Sequence, residues 1–416
     1  MLMFQMFHVT VQSESNLIAR QTPTQRVLEL RVRPPENQKA DQRTPLNIAM
    51  VLDRSGSMHG FKLEYVKQAA QHVIQLLADQ DRAALVTFDD EVTVNFPTAQ
   101  INRHARSEIT ERISGIHTGN STNLSGGWME GCEQVARNAE SRRQINRVLL
   151  LTDGLANVGI TEPDSLGNHA RELAQRGVST STFGVGVGFN EHLLEAMANQ
   201  GSGNFYYIAN PSEIPSIFLR EFNELAAVTA RGVQVNLTLP EHTAIEVLGG
   251  WRHTLEGNHL QLSLGDLAAG RDQEVYLKLL LPPSDAGDVL EVKAYAFGTG
   301  VNDADLSDET HIQFRYADAA EVAAAQPRED VLERFAKVQM SDRTTSALKL
   351  ERSGQRDQAR KLIIQSLEEN RPHISADQAK EYEDMADRMQ HGMLEEDRKT
   401  SQFNAYRSKR SRDDTN

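Results

Sequence analysis

A single cysteine, Cys132, occurs in 416 residues. No intramolecular disulfide can therefore form, which suits a reducing compartment. No stretch approaches ~20 uninterrupted apolar residues, so no membrane-spanning helix is expected. Basic charge is in deficit: 44 Lys and Arg stand against 58 Asp and Glu, a formal net charge of −14. That balance argues against generic binding to nucleic acid or to an anionic membrane. Residues 1–11 are apolar but short, without a basic start, a long apolar run or a small-residue cleavage site. No secretory leader is read there, and a cytoplasmic location is expected. What is present is a globular composition, 39% hydrophobic and 25% charged, long enough for two or three domains.

Residues 7–11 and 26–33 read as strands, because Val9, Val11, Leu28, Leu30 and Val32 alternate with polar neighbours. Pro34-Pro35 stops the second strand, and 36–45 is a polar linker. From 46 to about 228 strand and helix patterns alternate. Strands are expected at 46–52, 83–88, 147–151, 178–185 and 204–208. Helices are expected at 61–78, 107–116, 128–139, 165–176, 191–199 and 213–228. Asp89-Asp90 turns 83–88 back into 91–96 as a hairpin. Repeated β-α units imply an α/β fold, a doubly wound and mostly parallel sheet covered on both faces, with the hairpin strand at an edge.

After residue 230 the pattern changes. Strand-like runs at 233–239, 244–248, 259–264, 274–281, 290–296 and 310–316 are separated by Pro or Gly, which predicts an antiparallel β-sandwich. Six strands leave that sandwich short. The two strands before residue 34 complete it if the α/β segment is inserted into the sandwich. Beyond 318, helices are expected at 319–325, 329–338, 344–352, 355–370 and 376–396. Gly354 and Ala359 resemble half of a tetratricopeptide unit, but no second copy follows, so a helical hairpin packed on the sandwich is expected. The end is polar, with Arg407, Lys409, Arg410 and Arg412, and reads as a disordered basic tail. The expected division is 1–44 (first sandwich strands), 45–230 (α/β domain), 231–317 (remaining sandwich), 318–398 (helical region) and 399–416 (tail).

The chemistry concentrates at Asp53-Arg54-Ser55-Gly56-Ser57, where a buried strand hands its last side chains to a turn. Asp53, Ser55 and Ser57 alternate, so they can converge on one point. One carboxylate with small hydroxyls makes a hard, incomplete oxygen site suited to Mg²⁺. Taken alone, the stretch reads equally as a Ser/Gly loop capping a helix. Ligands in open α/β sheets gather at the carboxyl ends of strands. Asp153 follows the apolar run 148–151 directly, and Thr122 lies in a loop entering the helix before that strand.

On these residues the segment 46–228 resembles a von Willebrand factor type A domain. The metal-ion-dependent adhesion site of that family is matched by Asp53, Ser55, Ser57, Thr122 and Asp153, and the flanking runs 48–52, 121–124 and 151–154 match too. The resemblance implies a strand order of 3-2-1-4-5-6. It also implies direct metal ligation by Ser55 and Ser57, ligation by Thr122 directly or through water, and action of Asp53 and Asp153 largely through water. The metal implied is Mg²⁺, with Mn²⁺ or Ca²⁺ in its place. The wider layout resembles bacterial proteins in which such a domain interrupts a β-sandwich and a helical region follows. More loosely, it resembles inter-alpha-trypsin-inhibitor heavy chains and pilus-tip adhesins.

Other constellations lead elsewhere. Gly184-Val185-Gly186-Val187-Gly188 fails the dinucleotide spacing because position 189 is Phe, and reads as a tight strand exit. No nucleophile elbow surrounds Ser55 or Ser57, and His59 is the one nearby base. Thirteen scattered histidines form no zinc pattern. Trp128, Trp251 and Cys132 read as packing residues, with Trp128 near enough to the Thr122 loop to border a ligand face. The expected function is therefore non-enzymatic. A Mg²⁺-dependent module accepts a Glu or Asp carboxylate from a partner protein; the alternative is an accessory subunit of an AAA+ ATPase of the chelatase or MoxR kind.

Overall fold

The computed structural model describes residues 7–36, 43–139, 144–284, 288–300 and 303–410. Three strands come first, β1 (His8–Ser13), β2 (Leu17–Ala19) and β3 (Thr24–Arg33). The α/β segment then runs β4 (Leu46–Asp53), α1 (Phe61–Leu76), β5 (Arg82–Phe88), β6 (Val92–Gln100), α2 (Arg103–Ser114) and α3 (Leu124–Ala136). It continues through β7 (Ile145–Thr152), α4 (Pro163–Gln175), β8 (Ser179–Val185), α5 (Glu191–Gln200), β9 (Phe205–Ile208) and α6 (Ile214–Ala226). Seven strands follow: β10 (Val228–Thr238), β11 (Ala244–Val247), β12 (Arg252–Glu256), β13 (His259–Ala268), β14 (Gln273–Leu281), β15 (Val289–Gly300) and β16 (Asp305–Ala317). The helices α7 (Ala319–Ala324), α8 (Glu329–Arg352), α9 (Arg356–Asn370), α10 (Ala376–His391) and α11 (Glu395–Lys409) close the described chain.

The α/β sheet has the order β6-β5-β4-β7-β8-β9, which is the expected 3-2-1-4-5-6. Every pairing is parallel except that of the edge hairpin, β5 with β6. Strands β4, β5, β7 and β8 are buried almost throughout because helices cover both faces of the sheet, whereas the edge strand β6 is mostly exposed or half-exposed. Ile48, Met50 and Leu52 of β4 face a core filled by α1, α2 and α6. Ala49 and Val51 face the other core with Trp128 and Cys132 of α3 and Met197 of α5. The strand order reverses at β4, so loops leaving β4 and β7 diverge and open a crevice at their carboxyl ends.

Two further sheets pack face to face. One has the order β1-β3-β14-β11, the other β12-β13-β10-β15-β16-β2. Strands from before residue 34 and strands from after 227 thus pair within the same two sheets. Leu28, Leu30, Val235, Leu237, Leu277, Leu279 and Phe314 fill the space between them. The strand β12 was not foreseen in the sequence. It is an edge strand whose residues are exposed or half-exposed, so no apolar alternation marks it.

The helical region departs from expectation at two places. Where a break was expected between 338 and 344, α8 is continuous, because Gln339, Met340 and Ser341 are buried on its inner face. Conversely, the helix expected over 376–396 stops at His391. Gly392 there adopts φ +97°, a left-handed backbone that ends helices readily. The chain restarts as α11, and the disordered tail expected from 399 is an ordered helix as far as Lys409. Its polar look misled because Lys399, Gln402 and Lys409 are themselves buried, beside Phe403 and Tyr406, against α5 and β9. Arg412 lies outside the described residues, as do positions 37–42 of the expected linker and residues 1–6 of the apolar start.

Candidate metal centre

Four of the expected site residues sit on the two loops that follow β4 and β7. Asp53 is the last residue of β4, Ser55 precedes a 3-10 turn at Gly56–Met58 that contains Ser57, and Asp153 follows β7 immediately. The hydroxyls of Ser55 and Ser57 lie 3.1 Å apart, and Ser57 donates to Asp153 Oδ1 at 2.6 Å. Thr122 comes in from the loop before α3. A Cβ placed on Gly154 would meet Thr122 Oγ1 at 3.3 Å and Ser57 Oγ at 3.7 Å, so both hydroxyls flank this glycine. The five residues therefore occupy one crevice, above the point where the sheet reverses.

Loop-to-loop bonds hold the crevice in shape. The Gly56 amide donates to Asn120 O at 2.9 Å, and Gly119 N donates to Arg54 O at 2.7 Å. Thr122 and Asn157 exchange two bonds: the Thr122 amide donates to Asn157 Oδ1 at 3.1 Å, and the Asn157 amide to Thr122 O at 3.3 Å. The Arg54 guanidinium pairs with Asp89 at 3.1 Å.

The two carboxylates are compensated differently. Asp153 forms an ion pair with Lys62 from the first turn of α1. Asp53 is fully buried and accepts only from neutral donors, Ser55 N at 2.7 Å and Thr152 Oγ1 at 2.5 Å. Among the described residues no basic side chain comes within ion-pair distance of it. Burial pushes its carboxyl up to about 6, and the hydrogen bonds only partly offset that. An ionised Asp53 in this setting calls for a nearby positive charge. A divalent ion held by hydroxyls and water beside it fits that need, and the donor set is entirely hard oxygen. Among the described residues no group of three or more His, Cys, Asp or Glu converges, so a soft or carboxylate-rich metal site is not in view.

Sequence reasoning missed Lys62, Thr152 and Asn157. Thr152 carries a signal, being the hydroxyl at the end of β7 opposite Asp53. Lys62 carries one as well, lying in the first turn of the helix that leaves the site. Trp128 does not border the crevice: it is fully buried and donates to Thr180 Oγ1 at 3.1 Å. Gly184 to Gly188 is the exit of β8, and a Cβ on Gly188 would press within 2.6 Å of the Asp153 carbonyl. A cavity of about 80 Å³ lined by Arg147, Trp251 and Arg252 lies toward the start of β7, at the opposite end of the strand. Among the described residues no helix is long and apolar enough to cross a membrane.

Known proteins share the fold that carries this crevice. The family profile described as von Willebrand factor type A domain matches residues 47–220. The uncharacterized protein YfbK of Escherichia coli is 28% identical over 253 residues, covering 59% of this chain and 44% of its own. Human inter-alpha-trypsin inhibitor heavy chain H3 is 26% identical over 222 residues, covering 52% of this chain and 25% of its own. The chain thus spans less than half the length of either relative. Two solved structures share the fold along most of the chain. A von Willebrand factor type A protein from Catenulispora acidiphila superimposes with a TM-score of 0.70 at 16% identity, over 88% of each chain. The ArnB paralog VWA2 from Sulfolobus acidocaldarius gives 0.65 at 18% identity, over 97% of this chain and 98% of its own. Residues 47–220, with the crevice at the carboxyl ends of β4 and β7, are a von Willebrand factor type A domain.

Proposed function

We propose that this chain is a binding protein rather than an enzyme, and that it grips a carboxylate of a partner protein through Mg²⁺ held at Asp53, Ser55, Ser57, Thr122 and Asp153. The observation that carries the reading is Asp53, a buried carboxylate with neutral donors only, set beside converging hydroxyls. Mg²⁺ bound there would supply Lewis acidity and an open position for an incoming oxygen. Ser55, Ser57 and Thr122 would hold the ion through neutral hydroxyls, which leave its charge largely unquenched. Asp53 and Asp153 would orient its water. Lys62 would lose part of its hold on Asp153 as the ion enters, since like charges repel. Catalysis has little to draw on: His59, the nearest base in sequence, is exposed at the rim.

Calorimetric titration of Mg²⁺ into wild type and Asp153→Ala tests the site. Saturable binding by wild type and none by the variant is the expected result. Equal binding by both would sink the assignment.

A further inference from the structure

Twelve large apolar side chains stand exposed among the described residues. Scattered singly, such residues need no explanation, but five of the twelve gather at the candidate site. Phe61, 81% exposed, opens α1 directly after the loop that carries Ser55 and Ser57. Leu155, Val158 and Ile160 follow Asp153 in the β7–α4 loop. Val187 projects from the β8–α5 loop between Gly186 and Gly188.

These side chains stand on backbone tied to the crevice. Asn157, between Leu155 and Val158, bonds the Thr122 segment. The Ile160 amide donates to Ser125 Oγ at 2.9 Å. Gly188 packs so closely on the Asp153 carbonyl that a Cβ there would collide with it. The rim contributed by Asn120 and Ser121 is, by contrast, exposed and polar. The crevice is thus bordered by apolar side chains on the loops after β7 and β8 and at the start of α1.

We infer that the partner's acidic residue is carried between apolar side chains, in an exposed loop or strand where Leu, Ile, Val or Phe flanks the Asp or Glu. This rests on the metal reading above and adds the chemistry beside the carboxylate. The carboxylate would satisfy the open metal position, while its neighbours would cover Phe61, Leu155 and Val187 and remove their surface from water. A second copy of this chain is the competing occupant, since Leu255 and Glu256 stand exposed together at the end of β12.

Three short probes separate these possibilities: acetyl-Leu-Asp-Leu amide, acetyl-Gly-Asp-Gly amide and acetyl-Leu-Asn-Leu amide. Each is titrated into the full chain with Mg²⁺ and followed by amide chemical shifts, after calorimetry has shown whether Mg²⁺ itself binds. The expected order is Leu-Asp-Leu roughly five- to tenfold tighter than Gly-Asp-Gly, with Leu-Asn-Leu weaker than both. Phe61→Ser combined with Leu155→Ser and Val187→Ser should bring Leu-Asp-Leu to the Gly-Asp-Gly affinity and leave Mg²⁺ binding unchanged. These side chains are exposed, so folding is retained, and Phe61→Ser or Val187→Ser alone should show a smaller step of the same loss. Equal affinity for the two Asp peptides, with Mg²⁺ bound, would overturn the apolar rim and leave the metal site standing. Sedimentation showing wild-type self-association that the triple variant abolishes would also overturn it. Equal affinity for Leu-Asp-Leu and Leu-Asn-Leu, with Mg²⁺ bound, would overturn the carboxylate grip on which this inference rests. Absence of Mg²⁺ binding would remove the metal reading first, and this inference with it.

Discussion

Two buried acidic sites in this molecule are compensated in opposite ways. At α5, Glu191 meets the Lys399 ammonium at 2.8 Å, and Glu195 meets Lys409 at 3.3 Å. Both lysines come from α11, about 200 residues away in the chain. Lys399 also donates to Phe189 O at 2.6 Å and lies 4.0 Å from the Phe189 ring centroid. Burial alone would push Glu195 up, but Lys409 and Gln402 outweigh it and hold the carboxyl below its ordinary value. At the crevice, Asp53 is buried as deeply but has only neutral donors, and its carboxyl stays raised at about 6. The contrast separates two uses of a buried acid. Where the chain brings its own cation the site is closed and structural. Where it does not, the site is suited to a cation from outside. Asp153, which shares Lys62, stands between the two.

The largest expected effect lies on the closed side. Lys399→Ala leaves Glu191 buried with Arg352 and the His192 ring at 3.9 Å as its ion-pair partners, and should lower unfolding stability by about 3 kcal/mol. Denaturant melts would show it, and a loss no larger than that of an exposed pair would mean that α11 is not held by these charges. A smaller effect concerns pH. Because the folded carboxyl of Glu195 is depressed, its contribution is full above the ordinary glutamate value and is lost as pH falls through the folded one. Glu195→Gln should therefore flatten the acid limb of stability against pH and change the profile little above pH ~6. An unchanged acid limb would contradict the pairing. The smallest effect is at Lys62. Lys62→Gln removes a positive charge next to Asp153 and should tighten Mg²⁺ binding by about two- to fivefold, an effect that shrinks with added salt. Weaker binding in the variant would mean that Lys62 helps to build the site rather than competing for it.

The two sites were not equally legible in the sequence. Asp53 and Asp153 could be named because β-α periodicity shows where strands end, and in such sheets strand ends adjoin in space; Ser55, Ser57 and Thr122 joined them through the family resemblance. The sheet order came from the family resemblance, while periodicity alone implied only a mostly parallel sheet with a hairpin strand at an edge. The α11 dock left no such trace. Lys399, Gln402, Lys409 and Arg410 read as a solvated basic tail, because a charged residue looks alike in water and in a buried pair. Only the fold reveals that Glu191 and Glu195 face them. Strand β12 was hidden for a related reason, since an edge strand with exposed side chains has no buried face to impose alternation. Lys62 falls within an ordinary amphipathic helix, and its pairing with Asp153 depends on how α1 leaves the Ser55–Ser57 turn.

The central claim, that no cation among the described residues compensates Asp53, is tested most directly by the stability of Asp53→Asn with and without Mg²⁺. A buried acid raised to about 6 binds its proton more tightly folded than unfolded, so metal-free stability falls as pH rises from about 4 to 6. At neutral pH that deficit is on the order of 2–3 kcal/mol. The account predicts that Asp53→Asn is the more stable protein without Mg²⁺. It also predicts that wild type gains about 2.7 kcal/mol when Mg²⁺ reaches a hundredfold its dissociation constant, while the variant gains nothing. A variant less stable than wild type without Mg²⁺, or one that Mg²⁺ stabilises equally, would contradict it.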